Sequence, residues 1–430
     1  MQESHNVEAA IAAYRGNPTA LPLHGAVQHY DWGGFTFIPD LLGVDNAARQ
    51  PFAELWIGAN TGAPSIVDIG GQTAPLDKLV DAAPEASLGA SIAHRFSNRL
   101  PYLFKVLDAR KMLSIQAHPT KQQAEEGYAR ENAAGVSLKA PNRNYKDDNH
   151  KPEVHVALTD FWMLHGFRPL EETAGVLSSV PEFAVLAPDF TERLAAAGRD
   201  AEARRETLRA LYARVMQMPQ GEVDRILNPL IARLEGTKPT DKDAPDYWAL
   251  RAAETFPLPD GHRDRGIFSI YLLNLVHLKP GQGTYQPAGM LHAYLEGVNM
   301  ELMANSDNVL RGGLTPKHVD VGELMKTLTF DSGPSQVLHG DPIDATETVY
   351  RTAAREFELS RIRLASGADH AAAPDHGPDA LIVLEGAADL KTPRGDLRLN
   401  RGQIAFVPAA LPYTLESGSA MLFKASVPAR

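Results

Sequence analysis

One pattern occurs twice in this chain and constrains its fold more than any other feature. "GQGTYQPAGMLHAY" from Gly281 and "GQIAFVPAALPYTL" from Gly402 both open with Gly-Gln, place a proline six residues after the glycine, and put a polar ring five residues beyond the proline. The rings are His292 and Tyr413. Glycine permits a tight turn, the run behind it suits a short strand, and proline stops that strand. Repetition of the unit points to two β modules of similar construction.

The flanking segments agree with this. From about Leu21 to Phe167, short alternating runs such as "APSIVDI" and "LPYLFKVLDA" lie between turn residues and predict an all-β module. Between Leu170 and Glu254 the period changes. Leu208, Leu211, Val215 and Met218, then Val223, Ile226, Leu227, Leu230, Ile231 and Leu234, recur at helical spacing, and Pro229 is expected to kink or break the last helix. After "PLPDGHRDRG" strands are expected to return with "IFSIYLLNLVHLKPGQGTYQPAG". Gly-x5-Pro-x4-His is similar to the second half of the cupin barrel signature. The expected fold class is therefore mainly β with a helical insertion: two cupin jelly-roll barrels plus an α-helical domain. The corresponding boundaries are 1–167 and 259–345 for the two parts of a metal-bearing barrel, 168–258 for the helices, and 346–430 for a C-terminal barrel in which Tyr413 replaces the imidazole.

Composition removes several classes of function. With 430 residues, 44% apolar and 22% charged, the chain is globular. No run reaches the ~18–20 apolar residues of a membrane span, and the start, "MQESHNVEAAIAAYRG", lacks both a basic n-region and an apolar h-region, so the cytoplasm is the default location. A net charge of −11 argues against a nucleic-acid partner. The chain has no cysteine, so any metal must be held by nitrogen and oxygen.

Such donors are present at strand spacing. Gln116 and His118, in "SIQAHP", are two apart and point the same way on a strand. An isolated Gln-x-His before proline is ordinarily two solvent-facing residues, but "HKPEVHVAL" places Glu153 opposite the apolar face made by Val154, Val156 and Leu158, and His292 arrives from the repeat. Gln116, His118, Glu153 and His292 together carry one negative charge, leaving a divalent ion electrophilic. Zinc suits the imidazoles and carboxylate, and Mn, Co and Fe remain chemically open. His155 shares a face with Glu153 and is the rival ligand.

"YDWGG" (30–34), "ELWIGAN" (54–60), "PYLFKVLDARKMLSIQAHP" (101–119), "NYKDDNHKPE" (144–153) and "QPAGMLHAYLEGVNMELMANSDNVLRGGLTPKHVDV" (286–321) together resemble the type I phosphomannose isomerases, zinc-dependent mannose-6-phosphate isomerases built on cupin barrels. The matches run in family order over roughly residues 24 to 330; the last hundred residues are similar only to a divergent cupin. The resemblance implies one zinc per chain on Gln116, His118, Glu153 and His292. It also implies a sugar-phosphate pocket lined by Arg311, Lys151, Glu301, Asp307, Lys105 and Ser114. Two departures stand out: Ala59-Asn60-Thr61 where the family usually has Thr-His-Pro, and His155 where a small residue is common. Both bear on sugar preference.

Moving a proton between C1 and C2 through a cis-enediol asks for a carboxylate, imidazole or amine, and Glu301, His150 and Lys151 are all candidates. Lys105, Ser114, Arg311 and Lys317 form the candidate set for the 6-phosphate, and an Asp307–Arg311 ion pair across a helical turn is a structural alternative for those two. Other classes are a bicupin dioxygenase, which the amide ligand disfavours, a sugar-binding module without turnover, which would need no proton carrier, and the cupin phosphoglucose isomerases.

Overall fold

The computed structural model describes residues 2–365 and 367–428. Its centre is the thirteen-residue strand His292–Ala304, which changes partners midway. Its first residues pair with Phe161–Phe167, and His292 also with Gln116 of Ile115–Ala117. Its second half lies between Tyr102–Ala109 and Glu153–Ala157. The change falls at a register shift between Tyr294 and Glu296, followed by Gly297 at φ 124°, where a Cβ would meet the Asp160 carbonyl oxygen at 2.5 Å. A bulge of this kind sharpens strand twist and lets one strand serve two layers. Leu273–Leu278, Glu54–Gly58 and Ala26–Gln28 complete the main path of this antiparallel sheet, with Gly283–Gln286 on Glu153–Ala157 and Leu310–Gly313 on Ile115–Ala117.

The second sheet holds Glu347–Tyr350, Glu358–Leu364, Ala420–Ser426, Asp379–Lys391 and Ile404–Val407. It does not stay within residues 346–430. Leu21–His24 pairs with Ile404–Val407, and Ile66–Ile69 and Gln72–Pro75 follow it. Phe104, Val106 and Met300 on the first sheet share one apolar core with Tyr350, Leu359, Ile382 and Phe406 on the second. The recruited strands extend the surface over which that core closes.

The repeat is structural. Gly281 and Gly402 have φ of 88° and 81°. In each turn the glutamine N–H donates to the carbonyl three residues back at 2.9 Å (Gln282 to Lys279, Gln403 to Asn400), and its side-chain oxygen accepts from that residue's N–H at 2.8 Å.

Several expectations require correction. Residues 21–167 are not all β, since helices occupy Phe37–Leu42, Leu76–Ala82, Pro84–Leu88, Ala90–Arg95 and Lys121–Ala133. With thirteen α-helices among the described residues, "mainly β" understates the helical share. "IFSIYL" is the second through last residue of the helix Gly266–Leu272 rather than strand, because every residue of that helix is buried, Phe268 and Tyr271 against Phe183, and tertiary packing overrides β propensity. Pro229 does not end its helix, which runs Gln220–Thr237 with Pro229 on the solvent side. The helical block is an insertion, because the strand before it, Phe161–Phe167, pairs with the strand after it, Leu273–Leu278.

The two turn glycines should differ in tolerance. A Cβ at Gly281 meets the movable end of Arg361, whereas one at Gly402 meets the Leu41 backbone oxygen at 2.0 Å. Gly281→Ala is expected to cost about 1–2 kcal/mol from left-handed strain and Gly402→Ala distinctly more. Equal losses in chemical denaturation would count against this reading.

Candidate metal centre

Strand alternation delivers the candidate ligands. Ile115, Ala117 and Leu310 face the helical core, which turns the intervening Gln116 and Arg311 the other way, and Gln116 is register partner of both His292 and Arg311. His118, Glu153 and His292 are at most 1% exposed. The His118 Nε2 lies 3.3 Å from Glu153 Oε1, and the His292 Nε2 lies 3.2 Å from Glu153 Oε2.

The donors fit a metal on three counts. The His118 Nδ1–H donates to the Asn308 carbonyl at 2.7 Å and the His292 Nδ1–H to the Met290 carbonyl at 3.2 Å, which aims both Nε2 lone pairs inward. Both Nε2 atoms and Glu153 Oε2 are buried without a hydrogen-bond partner. Burial depresses His118 to about 4, so its ring is neutral, as a ligand must be. Burial alone would raise Glu153, but the Lys151 ammonium, 3.2 Å from Oε1, holds its carboxyl well below the usual range. His155 is not brought into the group. Its Nδ1 accepts from Gln286 Nε2 at 3.0 Å, and burial pushes the ring down to about 3.

A second array runs across the sheet. Trp56, Lys105, Glu301, His155 and Thr284 are successive register partners on five strands and share one face. Lys105 Nζ is 2.9 Å from Glu301 Oε2 and 3.7 Å from Glu54 Oε1, and the Tyr294 hydroxyl donates to Glu301 Oε1 at 2.7 Å. Lys105 is thus not a rim cation: it is 6% exposed, and although burial acts against its charge, Glu301 and Glu54 push it up. Burial raises Glu54 in turn, with Lys105 opposing. Sequence reading missed Tyr294 and Glu54. Tyr294 lies two residues from His292 on the same strand, a signal that was available; Glu54 carried none.

The mouth is cationic. Arg311 has no ion-pair partner among the described residues, its Nε is buried and unpartnered, and burial lowers it. The expected Asp307–Arg311 pair across a helical turn is absent, because residues 305–309 are loop and Asp307 is exposed. The Asp307 N–H donates to Asp147 Oδ2 at 2.7 Å. Lys317 is exposed, lowered by partial burial and then by the nearby Arg311 and Lys146 charges; Lys146 was not among the expected residues. Ser114 is half-buried just before the strand Ile115–Ala117. His150 Nε2 sits 2.7 Å from Glu356 Oε1. Asn60, in the segment that departs from the family, donates to Asn305 Oδ1 at 3.0 Å and lines a cavity of ≈430 Å³ with Lys146, Asp147 and Asp307.

The chain is similar to proteins of known activity. Residues 20–170 match the family model for the catalytic domain of type I phosphomannose isomerase. The mannose-6-phosphate isomerase of Salmonella typhimurium is 37% identical over 90% of this chain and 94% of its own length; that of Macaca fascicularis is 33% identical over 91% and 94%. A crystal structure of the Salmonella typhimurium enzyme bound to fructose 6-phosphate and zinc superposes with a TM-score of 0.83 at 35% identity, over 95% of this chain and 99% of that one.

Two outcomes follow from the geometry. Protein purified without added metal should carry close to one tightly held divalent ion per chain, and Glu153→Gln or His292→Ala should lose it, while Tyr413→Phe keeps it; metal analysis that finds the ion in His292→Ala would sink the assignment. Lys105→Met leaves two buried carboxylates unpaired and is expected to cost about 3–5 kcal/mol in denaturation.

Proposed function

The chain belongs to the type I phosphomannose isomerases, and from that premise we propose how its side chains interconvert mannose 6-phosphate and fructose 6-phosphate. The observation that carries the reading is the trio of buried, unpartnered donors on His118, Glu153 and His292. Gln116, from the strand that pairs with His292, is assigned as the fourth zinc ligand. Bound there, zinc supplies a Lewis acid that polarises sugar oxygens.

The remaining work falls to the chain. Lys151 handles the proton between C1 and C2, because its Nζ lies 3.2 Å from Glu153 Oε1, the oxygen that His118 Nε2 faces at 3.3 Å. Glu301, with both oxygens already held by Lys105 and Tyr294, is the anchor of that array. His150 is oriented by Glu356, and the exposed Asp307 offers its carboxylate to sugar hydroxyls. Arg311, an unneutralised guanidinium beside Gln116, stabilises the negative charge of the enediolate. Ser114, Lys317 and Lys146 receive the 6-phosphate, and Lys105 drops out of that set.

The two β units are proposed as cupin barrels, a reading supported by the matched turns at Gly281 and Gly402. The proposed division keeps residues 168–258 as the helical domain between 1–167 and 259–345, with 346–430 as the C-terminal barrel, amended by the N-terminal strands that join the second sheet.

A coupled assay should show zinc-dependent turnover of mannose 6-phosphate, with solvent deuterium entering C1 or C2. Turnover without any deuterium entry would favour a hydride shift. Arg311→Ala is expected to lower kcat by roughly 10²–10³, the size of losing one oxyanion donor, with zinc retained. Lys317→Ala should act mainly on KM. A raised KM with normal kcat in Arg311→Ala would move that residue to the phosphate.

A further inference from the structure

We propose that the C-terminal unit carries a second divalent-metal site, built from His370, Glu347 and Asp344 and suited to an ion of the zinc or manganese type. The three side chains come from two segments. Glu347 opens the strand Glu347–Tyr350, Asp344 lies three residues before it, and His370 sits in Asp369–Ala371, which pairs only with Thr414–Glu416 among the described residues. One ligand atom from each lies within 4.8 Å of the others.

The imidazole carries the argument. His370 is 1% exposed, and its Nε2 is buried with no hydrogen-bond partner. It faces Glu347 Oε2 at 3.7 Å, too far for a hydrogen bond. The separation is close to the roughly 3.3–3.6 Å between neighbouring ligands of a tetrahedral ion with bonds of about 2.0–2.2 Å. The other ring nitrogen is fixed: Thr346 Oγ1 donates to Asp344 Oδ1 at 2.7 Å, so it must accept from His370 Nδ1–H at 3.0 Å. That arrangement leaves the Nε2 lone pair aimed at the carboxylate, as the carbonyls of Asn308 and Met290 do for His118 and His292. Asp344 Oδ1 is further occupied by the N–H groups of Thr346 and Glu347, at 2.6 and 2.8 Å, which orients the exposed carboxylate with Oδ2 left over.

One group competes. Lys424 Nζ lies 2.7 Å from Glu347 Oε1. The first centre has the same feature, with Lys151 Nζ 3.2 Å from the ligand Glu153, so an ammonium on one carboxylate oxygen leaves the other free to ligate. It does reduce affinity, so the second site is the weaker one. A bound ion would join Glu347–Tyr350 to Asp369–Ala371, strands that do not pair with each other.

The test is a zinc titration of the intact enzyme by equilibrium dialysis, with bound metal counted and turnover followed. Wild type should fill in two steps, one tight and one at higher free zinc. His370→Ala should lose the second step, and Asp344→Asn should shift it to higher zinc, with the first step and turnover unchanged in both. Thr346→Val touches no ion but releases the ring, and should weaken the second step by about 10–100-fold. Saturation at one zinc per chain up to millimolar free zinc would overturn the proposal. So would a second step that Asp344→Asn and Thr346→Val leave in place, even if His370→Ala fails to fold.

Discussion

The Glu153 carboxylate is the constraint around which the rest of the molecule is arranged. It is 1% exposed and held ionised, a state that is costly in a protein interior unless charges and donors surround it. Lys151 supplies one positive charge, and the two imidazoles leave room for another between them. Meeting that need takes chain from near residues 116, 153 and 292 at one place. The long strand His292–Ala304 achieves this by changing partners at its bulge, so that Gln116 and Glu153 approach it from different layers. The helical insertion contributes from behind, since its core buries Ile115, Ala117 and Leu310, the residues that alternate with Gln116 and Arg311.

The same alternation explains why the array beside the metal centre stays out of water. Phe104 and Val106 point into the core shared by the two sheets, which sends Lys105 to the opposite face, between Trp56 and Glu301. There the ammonium meets two carboxylates, and Tyr294 completes the shell of Glu301. An ion pair of this kind is costly to break from one side, because the partner is then left as an uncompensated buried charge.

What could be read in the sequence follows from this geometry. That His118, Glu153 and His292 come together was legible because a two-residue period fixes facing, and because the repeat placed His292 at a strand start; Gln116 as a fourth ligand is part of the proposed function. The facing of Lys105 was legible too, but not its depth, since only the register with Glu54 and Glu301 turns a basic residue into a buried one. Local pattern misled where packing dominates: "IFSIYL" reads as strand and forms a buried helix, and Asp307 and Arg311 have helical spacing in a segment that is loop and strand. Pro229 failed as a helix breaker because its ring faces solvent in a helix held by the buried Ile226, Leu227, Leu230 and Ile231. His155 had the right face and the wrong neighbour, Gln286, which no spacing rule announces.

The second β unit meets the same electrostatic problem in another way. Asp379 pairs with Val407 as Glu153 pairs with Gln286, at equivalent distances from the turn glycines, so Asp379 stands where the first unit has the Glu153 carboxylate. The Tyr413 hydroxyl donates to its Oδ2 at 2.8 Å, and His376, raised by Asp379 despite burial, lies 3.2 Å from the same oxygen. Both nitrogens of His376 also face carbonyl oxygens, of Gly377 and Leu411, so the ring is held as a donor on both sides and cannot ligate. Lys424 brings a further positive charge to Asp379. A phenol where the first unit has His292, a histidine engaged at both nitrogens, and Lys424 thus let the chain itself surround the Asp379 carboxylate. Only where a histidine keeps one nitrogen clear of such bonds, as His370 does, does this unit retain the donor geometry of a metal site.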